Sequence, residues 1–141
     1  MRYSLITGYL RCNENNFMDT NYRTLKWVKP EDLNPNHTLF GGWLLQWIDE
    51  ESALYAVTQL HNHRLVTKYM SEISFISAPA QGDIVEIGMI ATQFGTTSIT
   101  LRCEVRNKLS NQLILTIDKI VYVNLGADGK PAPHGKTQIT W

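Results

Sequence analysis

The chain has 141 residues, 43% of them hydrophobic, and its 13 lysines and arginines balance 13 aspartates and glutamates. This length suits one domain with a real core and is short for two. The balanced charge favours neither nucleic acid nor an anionic membrane, so an anionic ligand must be met by a local group of cations.

The two cysteines, Cys12 and Cys103, show no metal-binding spacing and no disulfide framework. Such sparse cysteine is typical of a reducing compartment. The first residues lack the basic and apolar regions of a signal peptide, and no apolar run approaches the ~20 residues of a membrane span. We therefore expect a cytoplasmic protein that binds neither membrane nor nucleic acid.

The chain becomes regular only after its first 20 residues. The segment RCNENNFMDTN is polar and shows neither the helical nor the strand period, so we predict an irregular N-terminal extension over residues 1–20. From Tyr22, YRTLKWV predicts a short strand that ends at Lys29 and Pro30. A turn-rich loop, EDLNPNH, follows it.

A glycine pair, Gly41 and Gly42, opens a long apolar run that predicts a helix over residues 40–60, with HNHR as its polar exit. Apolar residues occupy most sides of this helix, which predicts that other elements wrap it. Asp49 stands in the middle of the run. An ionised carboxylate in apolar surroundings is costly unless something compensates it, so its presence indicates a function.

Four β-rich segments follow the helix and are separated by turn signals: LVTKYMSEISFIS, DIVEIGMIATQF, TSITLRCEVRN and QLILTIDKIVYVN. Apolar and polar residues alternate plainly in the second and third segments. One short strand, one long helix and four long strands predict a single α+β domain over residues 21–130, with an antiparallel sheet curled round the helix. The turn-rich tail over residues 131–141 is predicted to be irregular.

Three segments together resemble the acyl-CoA hydrolase branch of the hotdog-fold thioesterases, within the hydroxybenzoyl-CoA thioesterase superfamily. They are DLNPNHTLFGGWLLQWIDEESALYA, SFISAPAQGDIVEI and FGTTSITLRCEV. The likeness spans roughly residues 22–130. It implies a central helix wrapped by a curved antiparallel sheet of five to six strands, and hydrolysis of an acyl-CoA to a free acid and CoA.

Thioester hydrolysis needs a polarised carbonyl and an activated water. The N-terminus of the predicted helix offers free N–H groups for the oxyanion, and Gly41 and Gly42 leave room for a substrate carbonyl. Asp49, about two turns further along, is placed to activate water. The resemblance implies these catalytic roles, leaves open whether Asp49 is a general base or a nucleophile, and implies that a second subunit completes the site.

Other titratable groups compete for attention. Glu50 and Glu51 are turned about 100° and 200° from Asp49 around the helix, so we expect them on a solvated or interface surface. The four histidines lack the second ligand pair that a metal site needs, and we predict no metal. They are His37, His61, His63 and His134.

The resemblance also implies contacts with the substrate. The turn over residues 95–98 is expected near the nucleotide or pantetheine part of CoA. The expected substrate-binding residues are Asn34, Thr38, Phe40, Ser74, Phe75, Gly95, Thr96, Thr97, Ser98 and Arg102. Some relatives have Asn or Asp at the position of Thr38, and Asn34 or Asn36 is a candidate to replace that group. Candidate phosphate partners are Arg64, Lys68, Arg102, Arg106 and Lys119.

Two other functions stay open. One is a non-catalytic module that binds acyl-CoA or an acyl-carrier protein, and the other is a hotdog dehydratase or hydratase. A binding slot gains nothing from a costly carboxylate, and no histidine falls in the central turns of the helix. CoA is part of substrate and product, so no separate cofactor is expected. An open sheet edge predicts at least a homodimer, and the resemblance implies a tetramer or hexamer.

Overall fold

The computed structural model describes residues 20–141 and, before them, residues 5–6 and 9–10. These two short pieces are strands β1 (Leu5–Ile6) and β2 (Tyr9–Leu10), which pair antiparallel with each other. Apart from these two strands and residue 20, the extension predicted over residues 1–20 lies outside the described residues, and so does Cys12. No described helix is long and apolar enough to cross a membrane.

Residues 20–141 contain one long helix and six strands of a single antiparallel sheet. The elements are β3 (Tyr22–Trp27), α1 (Gly41–Leu60), β4 (Leu65–Met70), β5 (Ile73–Phe75), β6 (Ile84–Phe94), β7 (Ser98–Asn107) and β8 (Leu113–Asn124), with a 3-10 turn at Pro30–Asp32. The strand order is β3-β6-β7-β8-β4, and β5 also pairs with β8. The predicted α+β hotdog architecture, with five to six strands, is confirmed.

The segment over residues 65–77 forms two strands, so the prediction of one long strand was wrong. Both β4 and β5 pair with β8, on either side of a break at Ser71. The Ser71 N–H donates to the Lys119 carbonyl at 2.8 Å, and Ser71 Oγ accepts the Lys119 N–H at 3.0 Å. A side-chain oxygen thus takes the place of a main-chain acceptor, which interrupts the ladder.

The hydrophobic core lies between α1 and the helix-facing side of the sheet. Alternate residues of β7 point at the helix, so its apolar set is fully buried, while Arg102 lies on the other face. The core includes Leu44, Ile48, Tyr55, Ala56, Ile87, Met89, Ile99, Leu101, Val105, Ile117 and Ile120. Each large side chain buried there contributes about 1.5–3 kcal/mol. The sheet covers one side of the helix, and Trp43 and Leu54 on α1 remain 41% and 50% exposed.

Candidate active site

The N-terminus of α1 presents two backbone amides that have no acceptor among the described residues. Phe40 is the N-cap residue and makes no side-chain cap, while the N–H groups of Trp43 and Leu44 donate to its carbonyl at 3.0 and 3.2 Å. Within the described part of the chain, the Gly41 and Gly42 N–H groups bond to nothing. A Ser, Thr, Asp or Asn cap is typically worth ~1 kcal/mol. This helix forgoes that stabilisation and keeps two donors open.

A cleft of about 320 Å³ opens beside these amides. Gly41, Asn34 and Thr38 line one side, and residues 75–79 line the other. A Cβ built on Gly41 would meet Phe75 Cε1 at 3.5 Å, an ordinary contact, so the ring lies directly against the helix start. The cleft therefore brings three of the predicted substrate-binding residues to one of the predicted oxyanion donors.

The loop before the helix is held by the side chain of Asn34. Its Oδ1 accepts the N–H groups of Asn36 at 2.9 Å and Thr38 at 3.2 Å, and its Nδ2 donates to Thr38 Oγ1 at 3.0 Å. Phe40, half exposed, packs over Gly42, where any Cβ would overlap the ring. Thus Asn34 shapes the loop as well as lining the cleft, and Gly42 allows the Phe40 ring to lie across the first turn.

Asp49 is exposed, and two hydroxyl groups from the sheet hold one of its oxygens. Thr67 Oγ1 on β4 donates to Asp49 Oδ1 at 3.0 Å, and the Tyr122 hydroxyl on β8 lies 3.2 Å from the same oxygen and 3.0 Å from the main-chain carbonyl oxygen of Asp49. Ser52 Oγ is 2.7 Å from the Tyr122 hydroxyl. Across residues 20–141, Oδ2 has no partner. The expected cost of a buried charge therefore does not arise in the single chain, and one carboxylate oxygen is fixed while the other is open.

Tyr122 keeps its hydroxyl proton at neutral pH and can donate it to the carboxylate or to the main-chain carbonyl of Asp49. Burial raises the pKa of Tyr122, hydrogen bonds with Ser52 and Thr67 oppose that rise, and the negative charge of Asp49 adds to it. Sequence reasoning missed Thr67 and Tyr122, because they lie 18 and 73 residues from Asp49 along the chain. The available signal is a phenol in a core-facing position of β8, since a buried hydroxyl needs a partner.

Glu51, rather than Asp49, is the buried acid of the helix. It is 5% exposed, accepts the Tyr22 hydroxyl at 2.6 Å and pairs with Lys26 Nζ at 2.7 Å. The prediction of a solvated or interface surface was wrong for Glu51, because its direction on the helix faces β3 and those two side chains. Glu50 is exposed, as predicted. Burial, together with the hydrogen bond to Glu51, raises the pKa of Tyr22 to about 12.

The turn over residues 95–98, between β6 and β7, has bonded carbonyls and open donors. The Thr97 carbonyl accepts the Asn124 N–H at 2.7 Å, and the C-terminal tail bonds the carbonyls of Thr96 and Ser98. The N–H groups of Thr96 and Thr97 and the three hydroxyls of the turn donate to no acceptor in the described residues. A cluster of free N–H and O–H donors suits a phosphate or an amide carbonyl.

The 95–98 turn and the Asp49 contacts share one end of the sheet. Ile99, the second residue of β7, pairs with Tyr122 across the β7–β8 ladder. Ser74 lies elsewhere, in a surface depression that also includes Asp118. The single chain therefore places the turn near the Asp49 partners and leaves Ser74 outside the cleft that contains Phe75.

The candidate phosphate partners differ in their surroundings. Arg102 lies on the sheet face away from the helix and pairs with Glu104 at 3.0 Å and with Asp118 at 3.5 Å. Arg106 pairs with the buried Glu86. The other three are exposed and form no ion pair among residues 20–141: Arg64, Lys68 and Lys119. No group of acids, histidines or cysteines in the described residues has the arrangement of a metal site.

A family model described as the thioesterase superfamily matches residues 36–113, more than half of the chain and all of α1. Among curated proteins, the acyl-CoA thioester hydrolase YciA of Salmonella typhimurium is 34% identical over 117 residues, which cover 79% of this chain and 86% of YciA.

Two solved structures share the fold. The hexameric thioesterase of Yersinia pestis matches with a TM-score of 0.75 and 27% identity, over 83% of this chain and 97% of that one. The acyl-CoA hydrolase of Staphylococcus aureus, solved with butyryl coenzyme A and coenzyme A, matches with a TM-score of 0.72 and 28% identity, over 79% of this chain and 67% of that one.

Proposed function

The chain belongs to the thioesterase superfamily, and we propose that it is an acyl-CoA hydrolase that converts an acyl-CoA and water into a free acid and CoA. The similarity to YciA and to the S. aureus acyl-CoA hydrolase supports this substrate class. The observation that carries the proposal is helix α1 itself. It begins with two open amides and holds, in its middle, a carboxylate with one fixed and one open oxygen.

The proposed reaction uses both features. The thioester oxygen accepts hydrogen bonds from the Gly41 and Gly42 N–H groups, and the positive end of the helix dipole stabilises the charge that develops on it. Asp49 accepts a proton from the attacking water as the new C–O bond forms. The C–S bond then breaks and the CoA thiolate leaves; Asp49 releases its proton to solvent, from which the thiolate takes one up. CoA enters only as part of substrate and product, so the reaction needs no further cofactor.

The two features lie far apart on a single chain. Gly42 and Asp49 are seven positions apart, which is about 10 Å along a helix that rises 1.5 Å per residue. The oxyanion donors and the attacking water must both lie ~3 Å from the reacting group. Asp49 is accordingly absent from the residues that line the cleft beside the amides. The amides of one subunit therefore work with Asp49 of its partner.

Strand β4 provides an edge at which such a partner can pair. It is the last strand of the sheet path, so one side of its backbone has no neighbouring strand among the described residues. Val66 and Tyr69 on β4 and Phe75 on β5 are 45%, 53% and 55% exposed. Thr67, which holds Asp49, lies on the same edge. A homo-oligomer that covers this surface completes the site, and the hexameric Y. pestis relative supports such an assembly.

The primary test is Asp49→Asn, assayed by the release of thiol from a panel of acyl-CoAs. The proposal predicts a folded protein with kcat lower by about 10²–10⁴-fold, the usual contribution of a general base. Glu50→Gln, an exposed neighbour on the same helix, is the matched control and should keep full activity. Unchanged turnover in Asp49→Asn contradicts the assignment. Absorbance of an enoyl product, without thiol release, would instead indicate a dehydratase.

A complementation experiment tests the two-chain site. Asp49→Asn removes the acid, and Gly42→Val blocks the approach to the amides, so each variant alone should be inactive. When the two are unfolded together and refolded as a mixture, a mixed dimer has one site with both an intact Gly42 and an intact Asp49. Random assortment should restore about one quarter of the wild-type sites. No recovery from properly assembled mixtures would contradict a site shared between chains.

The 95–98 turn is the proposed contact for the phosphate or pantetheine part of CoA. The open N–H and hydroxyl donors of the turn and its place beside the Ile99–Tyr122 pair support this assignment. Thr97→Val removes one hydroxyl donor with little change in shape. It should raise KM for acyl-CoA and leave kcat nearly unchanged, whereas Thr92→Val, on the preceding strand, serves as the control.

A further inference from the structure

The C-terminal tail is tied to the 95–98 turn through His134. The His134 N–H donates to the Thr96 carbonyl at 3.2 Å, and His134 Nε2 lies 2.9 Å from the Ser98 carbonyl. The other ring nitrogen, Nδ1, accepts the Lys136 N–H at 3.0 Å. Because a carbonyl can only accept and Nδ1 is already an acceptor, the ring is neutral and carries its proton on Nε2.

Both ends of this tail are anchored, so residues 132–140 form a strap across the end of the sheet. At its start, the Ala132 N–H donates to the Asn124 carbonyl at 2.9 Å, and Asn124 Nδ2 donates to the Ala132 carbonyl at 2.8 Å. At its end, Thr140 and the side chain of Gln59 on α1 exchange two hydrogen bonds of 2.8 Å. Ile139 packs against the core. The strap is therefore fixed although it contains no helix or strand.

The main-chain bond from His134 to the Thr96 carbonyl bears on the direction of the Thr96–Thr97 peptide, while the Gly95 N–H bonds the Ser98 carbonyl at 2.9 Å and the Asn124 N–H bonds the Thr97 carbonyl at 2.7 Å. The Thr96 carbonyl and the Thr97 N–H belong to one planar trans peptide, so they point in opposite directions. When the carbonyl bonds to the strap, the N–H must face away from it, toward the open side of the turn. A peptide flip would put a carbonyl in that place and repel a phosphate. The ring bond to Ser98 holds His134 where its own N–H reaches Thr96.

We propose that His134 is a positioning residue for CoA binding, acting through the 95–98 turn. The strap lies outside residues 36–113, which the family model matches. The inference rests on the proposed function, because it takes the turn as the contact for the phosphate or pantetheine part of CoA. It concerns the binding of that part and leaves the chemical step to Asp49 and the helix amides.

The test compares one short acyl group on CoA with the same acyl group on N-acetylcysteamine, which lacks the nucleotide. His134→Phe keeps a ring next to Phe94 but loses the donor to Ser98. It should raise KM for acyl-CoA by up to about fivefold, because the lost ring bond to Ser98 is worth ~1 kcal/mol and can transfer no more than that to CoA binding, with kcat within about twofold. Its kcat/KM for the N-acetylcysteamine thioester should not change. His134→Gln, whose amide N–H can reach the Ser98 carbonyl, should restore most of the affinity.

Each outcome decides the matter. An unchanged KM for acyl-CoA in His134→Phe, or an equal loss on both thioesters, overturns the positioning role. Should His134→Phe fail to fold, His134→Asn takes its place, because its shorter amide cannot reach Ser98 while that of His134→Gln can. Trp141→Ala, at the exposed end of the tail, is the control and should leave KM and kcat for both thioesters unchanged. If the wild-type protein hydrolyses neither thioester, the proposed function fails instead.

Discussion

The hydroxyl of Tyr122 lies 3.2 Å from Asp49 Oδ1. This contact connects a tyrosine whose side chain is only 1% exposed with an acid that lies at the surface. Thr67 contacts the same oxygen from the neighbouring strand. The carboxylate is thus oriented by groups that the sheet holds rigidly, and Oδ2 is left to contact water. Orientation of this kind contributes to rate because a misplaced base loses much of its effect.

Tyr122→Phe should therefore lower kcat by about tenfold or more while the protein stays folded. Tyr55→Phe is the matched control, because Tyr55 is equally buried and its hydroxyl accepts the Ala91 N–H, away from Asp49. Steady-state kinetics and thermal unfolding of both variants check the prediction. Equal kcat values in the two variants would remove Tyr122 from the catalytic arrangement.

Local patterns in the sequence predicted the elements well. The glycine pair and the polar exit HNHR placed the helix over residues 40–60, against Gly41–Leu60 in the structure. Alternation predicted β6 and β7, because one face of each strand packs on the helix. The break at Ser71 was missed, since it depends on a bond between Ser71 Oγ and the Lys119 N–H on a distant strand. Nothing within residues 65–77 signals that bond.

The sequence pointed to candidate site residues only where the family pattern marks them. That pattern singled out Asp49 and the glycines, but it says nothing of Thr67 or Tyr122, which the β4–β8 pairing brings together. Glu51 shows the same limit. Helical geometry gave its direction relative to Asp49, but the position of β3, and so the contact with Lys26, is a product of the whole sheet.

The uncapped start of α1 predicts that stability and activity can be changed in opposite directions. In Phe40→Asp, the new carboxylate would accept N–H groups of the first turn and add about 0.5–2 kcal/mol to helix stability. The carboxylate would also occupy the place proposed for the oxyanion or repel its negative charge, so kcat/KM should fall by about 100-fold. Phe40→Leu loses the ring without adding an acceptor and is the control. Urea unfolding and thiol-release kinetics check both effects, and equal activity in the two variants would contradict the role of the amides.

The raised pKa of Tyr22 predicts that the folded protein loses stability at alkaline pH. Its pKa rises from 10.0 to about 12 in the folded protein, through burial and then through Glu51. The unfolded chain therefore loses this proton first, so the contribution of Tyr22 is complete below pH 10 and disappears as the pH rises toward 12. Unfolding free energies of wild type and Tyr22→Phe, measured across that window, should converge as the pH rises. A constant difference between them would contradict the assignment.

Cys103 should be an unreactive thiol in the native protein. It is fully buried, and burial, with a smaller effect from Glu104, raises its pKa to about 12. The thiolate is the reactive form, so a thiol reagent at neutral pH should leave it unmodified. In a Cys12→Ser background, the native protein should show no reaction, and one equivalent should react after unfolding in guanidinium. Rapid labelling of the native protein would show that the core opens.

Under the proposed mechanism, the separation of Gly42 from Asp49 along one helix makes catalysis a property of the assembly. A newly synthesised chain that has folded alone would then contain all the chemical groups but no complete site, so it should leave thioesters intact until it meets a partner. At low protein concentration, activity in a cell should rise faster than in proportion to the amount of chain. In a mixed dimer, a subunit with a damaged Asp49 still lends its helix amides to the intact acid of its neighbour, so the number of complete sites should follow the number of intact Asp49 residues.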